Sequence, residues 1–197
     1  MLLAACIPEL PKQAPGAPTV SITPAAPGTG DDLRAVIGVE ASEFDGDVVT
    51  YAYGWKQAGL PRTDLTTDTV PASETTKGEV WEVTVTASDV DGTGTPTTAL
   101  VTILNTSPEV MVTLEPAAPV TGDDVVAVAT ATDADGDPVT FTYAWTLDGA
   151  PRGEEGDRIA ADRTEHGQVW SVTVTPADDE EPGAPVTSDV TIANAPR

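Results

Sequence analysis

Asp133, Asp135 and Asp137 alternate about Gly136, and no other residues of this chain are better suited by type and spacing to do chemistry. A hard cation takes about six to eight oxygen ligands, and alternating carboxylates on a tight turn aim several oxygens at one point, so the pattern fits Ca2+. It is not an EF-hand: the twelfth position counted from Asp133 is Ala144, where a bidentate Glu is required. A weaker copy stands earlier in the chain as Glu43, Asp45 and Asp47. Asp and Gly are also ordinary turn residues, so a solvated acidic turn capping strand ends fits the same pattern.

Catalytic machinery is not expected. The one histidine, His166, lies in Glu165-His166-Gly167 just before a strand and reads as a solvated turn residue. The chain has no Gly-x-Ser-x-Gly elbow, no phosphate-cradling glycine loop and no cysteine beyond Cys6. A carboxylate pair for glycoside hydrolysis would need a cleft holding two carboxyls about 5 to 10 Å apart, and small β-sandwiches rarely offer one.

Behind the acidic turn stands the element that must position it. Val139, Phe141, Tyr143, Trp145 and Leu147 occupy alternate positions with Thr140, Thr142 and Thr146 between them, the period of a half-buried strand. The order recurs through the chain. Pro24-Ala25-Ala26-Pro27 and Gly30-Asp31-Asp32 return 92 positions later as Pro116-Ala117-Ala118-Pro119 and Gly122-Asp123-Asp124. Asp45-Gly46-Asp47, Tyr53, Trp55 and Pro61-Arg62 return after 90 positions as Asp135-Gly136-Asp137, Tyr143, Trp145 and Pro151-Arg152. The Trp81 to Thr86 and Val101 to Asn105 segments return after 89 as Trp170 to Thr175 and Val190 to Asn194. Kept order with nearly constant offset makes a tandem repeat.

The fold class that follows is all-β, as two tandem immunoglobulin-like Greek-key β-sandwiches. Strands are expected near Thr19 to Thr23, Leu33 to Glu40, Val48 to Gln57, Leu65 to Val70, Glu79 to Thr86 and Thr98 to Leu104, with a short one between Lys56 and Arg62. The second unit repeats them near Met111 to Glu115, Val125 to Thr132, Val139 to Leu147, Asp157 to Ala161, Gln168 to Thr175 and Thr187 to Ala193. Both tryptophans of each unit fall on the inward parity and read as core anchors. The boundaries expected are an N-terminal stretch over 1–17, domain 1 over 18–106 and domain 2 over 107–197.

Leu3-Ala4-Ala5-Cys6 resembles the lipobox of bacterial lipoproteins, and the resemblance makes Cys6 the acylated N-terminal residue of the mature chain. Only five residues precede it, too few for a signal peptide with an apolar core of about 7 to 15 residues. The alternatives are a true start upstream or a chance match with an inert cysteine. Pro8, Pro11, Pro15, Pro18 and Gly16 follow, a composition that stays extended. Such a tether would hold domain 1 roughly 30 to 40 Å from a membrane. No stretch approaches the length and apolarity of a spanning helix.

The repeat unit resembles the immunoglobulin-like repeats of bacterial surface proteins, close to the polycystic-kidney-disease (PKD) and bacterial cadherin-like families. The residues that carry the resemblance are Asp133 to Asp137, Tyr143-Ala144-Trp145, Trp170 to Thr175 with Asp178, and Val190-Thr191-Ile192 with Asn194 and Pro196. Sandwich topology puts the B–C and F–G loops at one end of a unit and the A–B loop at the other. On that basis Asp133, Asp135 and Asp137 are expected to share a calcium-binding joint with Asp31, Asp32 and Asn105, as the cadherin-like resemblance implies. Asp89, Asp91, Asp178 and Asp179 are the corresponding F–G loop candidates for a ligand.

The formal charge of −23, with only nine Lys and Arg, excludes nucleic acid as a partner, because phosphate binding needs a basic footprint. The acid is spread over both halves, 13 groups in residues 17–106 and 18 in 107–197, so it forms no acidic tail. The expected function is a non-enzymatic, exported stalk or display module, lipid-anchored through Cys6 at the bacterial outer membrane or cell surface. A Ca2+-dependent adhesin or carbohydrate-binding module, contacting a surface protein or glycan through the B–C and F–G loops, is the rival reading. An accessory region of a larger secreted enzyme is the third, and the end at Asn194 to Arg197 suggests a fragment of a longer array or one that stops at two.

Overall fold

The structure is a computed structural model describing residues 12–196; Cys6 and its lipobox lie outside the described residues. Two compact units divide the chain between Asn105 and Thr106, so unit 1 includes the proline-rich residues from Lys12 onward.

Unit 1 contains β1 (Thr19–Thr23), β2 (Leu33–Val39), β3 (Thr50–Gln57), β4 (Leu60–Arg62), β5 (Thr69–Val70), β6 (Val80–Ser88) and β7 (Thr97–Thr102). One sheet has the order β1-β2-β5 and the other β4-β3-β6-β7, every pairing antiparallel. Unit 2 repeats this with β8 (Glu109–Glu115), β9 (Val125–Thr132), β10 (Thr140–Leu147), β11 (Ala150–Pro151), β12 (Arg158–Ile159), β13 (Val169–Ala177) and β14 (Val186–Thr191). Its sheets run β12-β9-β8 and β11-β10-β13-β14. Three strands facing four, with the chain crossing between sheets, is the immunoglobulin-like sandwich expected from the repeat.

Alternation along the strands explains why the sheets face each other. In β6 and β13 every second residue is buried: Trp81, Val83, Val85 and Ala87, then Trp170, Val172, Val174 and Pro176. Each core turns on a pair of indoles set edge to face, Trp55 with Trp81 at 6.4 Å and 75°, Trp145 with Trp170 at 6.3 Å and 78°. This offset geometry suits the ring quadrupoles. The indole N–H groups stay paired: Trp55 Nε1 donates to the Thr67 carbonyl and Trp145 Nε1 to that of Gly156, both at 2.9 Å. Trp81 and Trp170 donate to Glu79 Oε2 and Gln168 Oε1 at 3.1 Å. A buried donor left unmade would cost about 1 to 3 kcal/mol.

Several expected strands are shorter than their patterns suggested, among them Asp157 to Ala161, which keeps only Arg158–Ile159. The segment Leu65 to Val70 keeps only Thr69–Val70 as strand, because β5 pairs with β2 at just two positions, Leu33 with Val70 and Arg34 with Thr69. The strand expected from Val48 begins at Thr50, whose partner Ser88 is the last residue of β6, so Val48 is left in the loop.

The repeated Gly-Asp-Asp also gains a structural reason. Asp31 Oδ2 accepts from the Gly28 amide at 2.9 Å, and Asp32 Oδ1 from the Ala72 amide at 2.6 Å. Asp123 and Asp124 do the same for Val120 at 2.9 Å and Ala161 at 2.7 Å. Ala72 and Ala161 open short 3-10 turns, so each second aspartate satisfies an amide that the turn leaves without a partner.

Candidate functional site: the acidic loop ends

In unit 1 the loop between β2 and β3 carries Glu43, Asp45 and Asp47, and the loop between β6 and β7 carries Asp89 and Asp91. The ladder that aligns Thr50 with Ser88 brings the two loops together. Oxygens of Glu43, Asp45 and Asp89 lie within 4.8 Å of one another, as do those of Asp45, Asp47 and Asp91. In unit 2 the same holds for Asp133, Asp135 and Asp137, and for Asp137, Asp179 and Glu180.

Part of each carboxylate shapes the loop. Asp89 Oδ1 accepts from the amides of Asp91 and Gly92 at 2.8 Å, and Asp178 Oδ1 from those of Glu180 and Glu181 at 2.7 Å. Asp133 Oδ1 accepts from Asp135 at 2.8 Å and Asp137 at 3.1 Å, while Glu43 Oε1 accepts from Asp45 at 2.8 Å. The second oxygens are different. Glu43 Oε2, Asp45 Oδ1, Asp47 Oδ2, Asp89 Oδ2, Asp133 Oδ2 and Asp135 Oδ1 are buried atoms with no hydrogen-bond donor.

The segment leading into each unit docks on this end. The Gln13 amide donates to Asp45 Oδ2 at 3.1 Å and the Gly16 amide to the Ser42 carbonyl at 2.9 Å. In unit 2 the Thr106 amide donates to Asp135 Oδ2 at 2.7 Å and the Ser107 hydroxyl to Glu181 Oε1 at 2.9 Å. Glycines make room for the incoming backbone. A Cβ on Gly94 would lie 2.3 Å from the Pro15 carbonyl oxygen, and one on Gly183 only 1.8 Å from that of Pro108. This docking was not legible in the sequence, where residues up to 17 read as free tether; the only signal was the recurrence of Gly94 as Gly183 after 89 positions.

Unit 1 adds a cation of its own. Lys12 Nζ lies 3.3 Å from Asp91 Oδ2 and 3.7 Å from Asp47 Oδ2, an ion pair at both distances but a hydrogen bond only at the first. The hydrogen bond to Asp91 holds the Lys12 ammonium above its ordinary range. The neighbouring Asp91 carboxylate, and then burial, push Asp47 above its ordinary range. Asp45 is lowered, first by the hydrogen bond with Glu43 and then by the Gln13 amide.

Of the residues expected in the calcium joint, Asp31, Asp32 and Asn105 belong to unit 1 and Asp133, Asp135 and Asp137 to unit 2. Asp133, Asp135 and Asp137 converge within unit 2. Asp31 and Asp32 bind amides of unit 1, and Asn105 Oδ1 accepts from Lys77 Nζ at 2.7 Å. The F–G candidates Asp89 and Asp91 join the acidic cluster of their own unit, as does Asp179; Asp178 holds its loop.

No protein-family model matches the chain. No curated protein matches it either. Among solved structures it is similar to a two-domain fibronectin type III segment of chicken tenascin, at 14% identity and a TM-score of 0.42, covering 91% of this chain and 99% of that one. It is also similar to the FN1–FN3 domains of chicken CNTN1, at 12% identity and a TM-score of 0.39, over 92% of this chain and 68% of that one. A third is the three N-terminal domains of the highly immunogenic outer capsid protein of bacteriophage RB49, at 18% identity and a TM-score of 0.35, over 88% of this chain and 59% of that one. The fold assignment rests on the strand order of each unit.

Proposed function

We propose that the chain is a non-enzymatic stalk or display module, exported by a bacterium and held at the outer membrane or cell surface by a lipid on Cys6. The observation that carries this reading is that both units receive their leading segment in the same way. An amide docks on a B–C loop aspartate, Gln13 on Asp45 and Thr106 on Asp135, over a glycine that admits the backbone. The loop end that a binding module would keep open for a ligand is engaged here by the chain itself. The tests are the mass of Cys6 after export through a bacterial lipoprotein pathway and the binding of the purified chain to a glycan array. An acylated Cys6 and a blank array support the stalk. Glycan capture that disappears on replacing Asp89, Asp91, Asp178 and Asp179 by Asn favours the adhesin instead, and a catalytic domain encoded after Arg197 favours the accessory role.

Calcium is a second reading, favoured by the buried oxygens that lack donors. In unit 2 Asp133 Oδ2 and Asp135 Oδ1 fit a hard cation, with Asp137, Asp179 and Glu180 as further oxygen donors. A bound Ca2+ would neutralise carboxylates that otherwise repel one another. Titration with Ca2+, and Mg2+ as control, tests it. A real site raises stability by about 2.7 kcal/mol at a hundredfold excess over its dissociation constant, and Asp133→Asn with Asp135→Asn abolishes the gain. A flat melting temperature removes the metal and leaves the stalk untouched.

A further inference from the structure

The acidic end of unit 1 is inverted relative to ordinary surface loops. Its acids are turned toward one another, with Glu43, Asp45, Asp47 and Asp89 half-buried, while apolar residues next to them in sequence face water. Phe44 is 63% exposed, Val48 81% and Val90 80%. Single exposed apolar residues are normal. Here three belong to two loops whose flanking carboxylates lie within 4.8 Å of each other. Unit 2 supplies an internal comparison: at the same repeat positions it has Ala134, Pro138 and Asp179. The apolar character therefore belongs to the first unit alone and is no requirement of the loop fold.

The same end is where the chain leaves toward its N-terminus, because Lys12 and Gln13 are pinned to Asp91 and Asp45. Cys6 stands six positions before Lys12, a span of about 20 Å at full extension. We propose that Phe44, Val48 and Val90 form a lipid-contacting tip that rests on the surface of the bilayer in which the Cys6 lipid is anchored. This rests on the lipid-anchor reading given above. Three side chains bury too little apolar surface to bind a membrane from solution, but a short tether raises their effective concentration at the surface enough to keep them there. The surrounding carboxylates select a zwitterionic surface and oppose an anionic one.

The test uses the single cysteine. The full chain is coupled through Cys6 to a maleimide-bearing phosphatidylethanolamine in phosphatidylcholine vesicles, with an indole reporter placed at the tip by Phe44→Trp or on an exposed strand by Leu60→Trp. Quenching by brominated phosphatidylcholine and a blue-shifted emission for Phe44→Trp, with neither for Leu60→Trp, support the proposal; adding phosphatidylglycerol should weaken both signals. Equal responses from the two reporters overturn it. Replacing Val48 and Val90 by Ser, exposed positions that leave the core intact, should return the Phe44→Trp emission to that of the uncoupled protein, and an unchanged emission overturns the tip as the cause. Concentration-dependent dimers in the absence of vesicles, lost on Phe44→Ser, overturn it in favour of a second copy as the occupant. An unacylated Cys6 after bacterial export overturns anchor and tip together, whereas an acylated Cys6 with an unquenched tip overturns the tip alone.

Discussion

Lys12 Nζ and Asp91 Oδ2 meet at 3.3 Å, so the chain brings its own cation to the acidic end of its first domain. The ammonium is raised by that hydrogen bond, and its contribution to stability is therefore present below the ordinary lysine value of 10.5 and lost as pH rises through the folded value. Lys12→Met keeps the apolar stem and removes the charge. Exchange of the Gln13 and Gly16 amides should speed up while the core strands stay protected. If calcium fits these carboxylates, the variant should also gain more melting temperature from added Ca2+ than the natural chain does. Unchanged exchange at both amides would show that the ammonium holds nothing in place.

Gly183 faces the Pro108 carbonyl so closely that no side chain can enter without moving the backbone. Gly183→Ala should cost unit 2 about 1 to 3 kcal/mol by overpacking. Urea unfolding checks the size, and faster exchange at the Thr106 amide should accompany it.

Acid should act through Asp124. The hydrogen bond from the Arg158 guanidinium, and then the Ala161 amide, hold this carboxylate below its ordinary 3.8. A lowered folded value means stability that is present above the ordinary value and lost as pH falls through the folded one. Asp124→Asn should flatten the acid limb of a urea-midpoint profile below pH 3.8. An acid limb as steep as that of the natural chain would refute the assignment.

Ala58 and Asp148 are the two described residues other than glycine with positive φ, 48° and 51°. They open equivalent two-residue hairpin loops, β3 to β4 and β10 to β11, in which both central residues need positive φ and Asp-Gly is favoured. Asp148 Oδ1 also accepts from the Val169 amide at 2.9 Å, a bond alanine cannot make. Ala58→Asp should therefore stabilise unit 1 by about 0.5 to 1.5 kcal/mol, through the added bond and relief of left-handed strain. Calorimetry of the upper and lower transitions would assign the gain to one unit.

The architecture was legible because it is written locally. Alternation around Trp145 and Trp170, repeated around Trp55 and Trp81, gives strands, faces and copy number without any knowledge of contacts. The short strands were misjudged where apolar pattern and pairing part company, as at Leu65 and Val48. The acidic end was legible only in part. Asp133, Asp135 and Asp137 are neighbours in sequence and meet in space, but Asp89 reaches Glu43 and Asp45 across 46 and 44 positions, and Lys12 reaches Asp91 across 79. Such meetings depend on strand register, which a single sequence leaves open. The repeated Gly-Asp-Asp had a bland local reason, the satisfaction of the Ala72 and Ala161 amides, which looks the same in sequence as a candidate ligand set.

All four indoles lie inside the two cores, each at most 1% exposed. The natural chain is thus spectroscopically quiet at its surface: its ultraviolet emission changes when a sandwich opens and stays still when something merely touches it. Trp81 donates to a carboxylate and Trp170 to a side-chain amide, so the two interiors differ in the charge of the group that holds this indole.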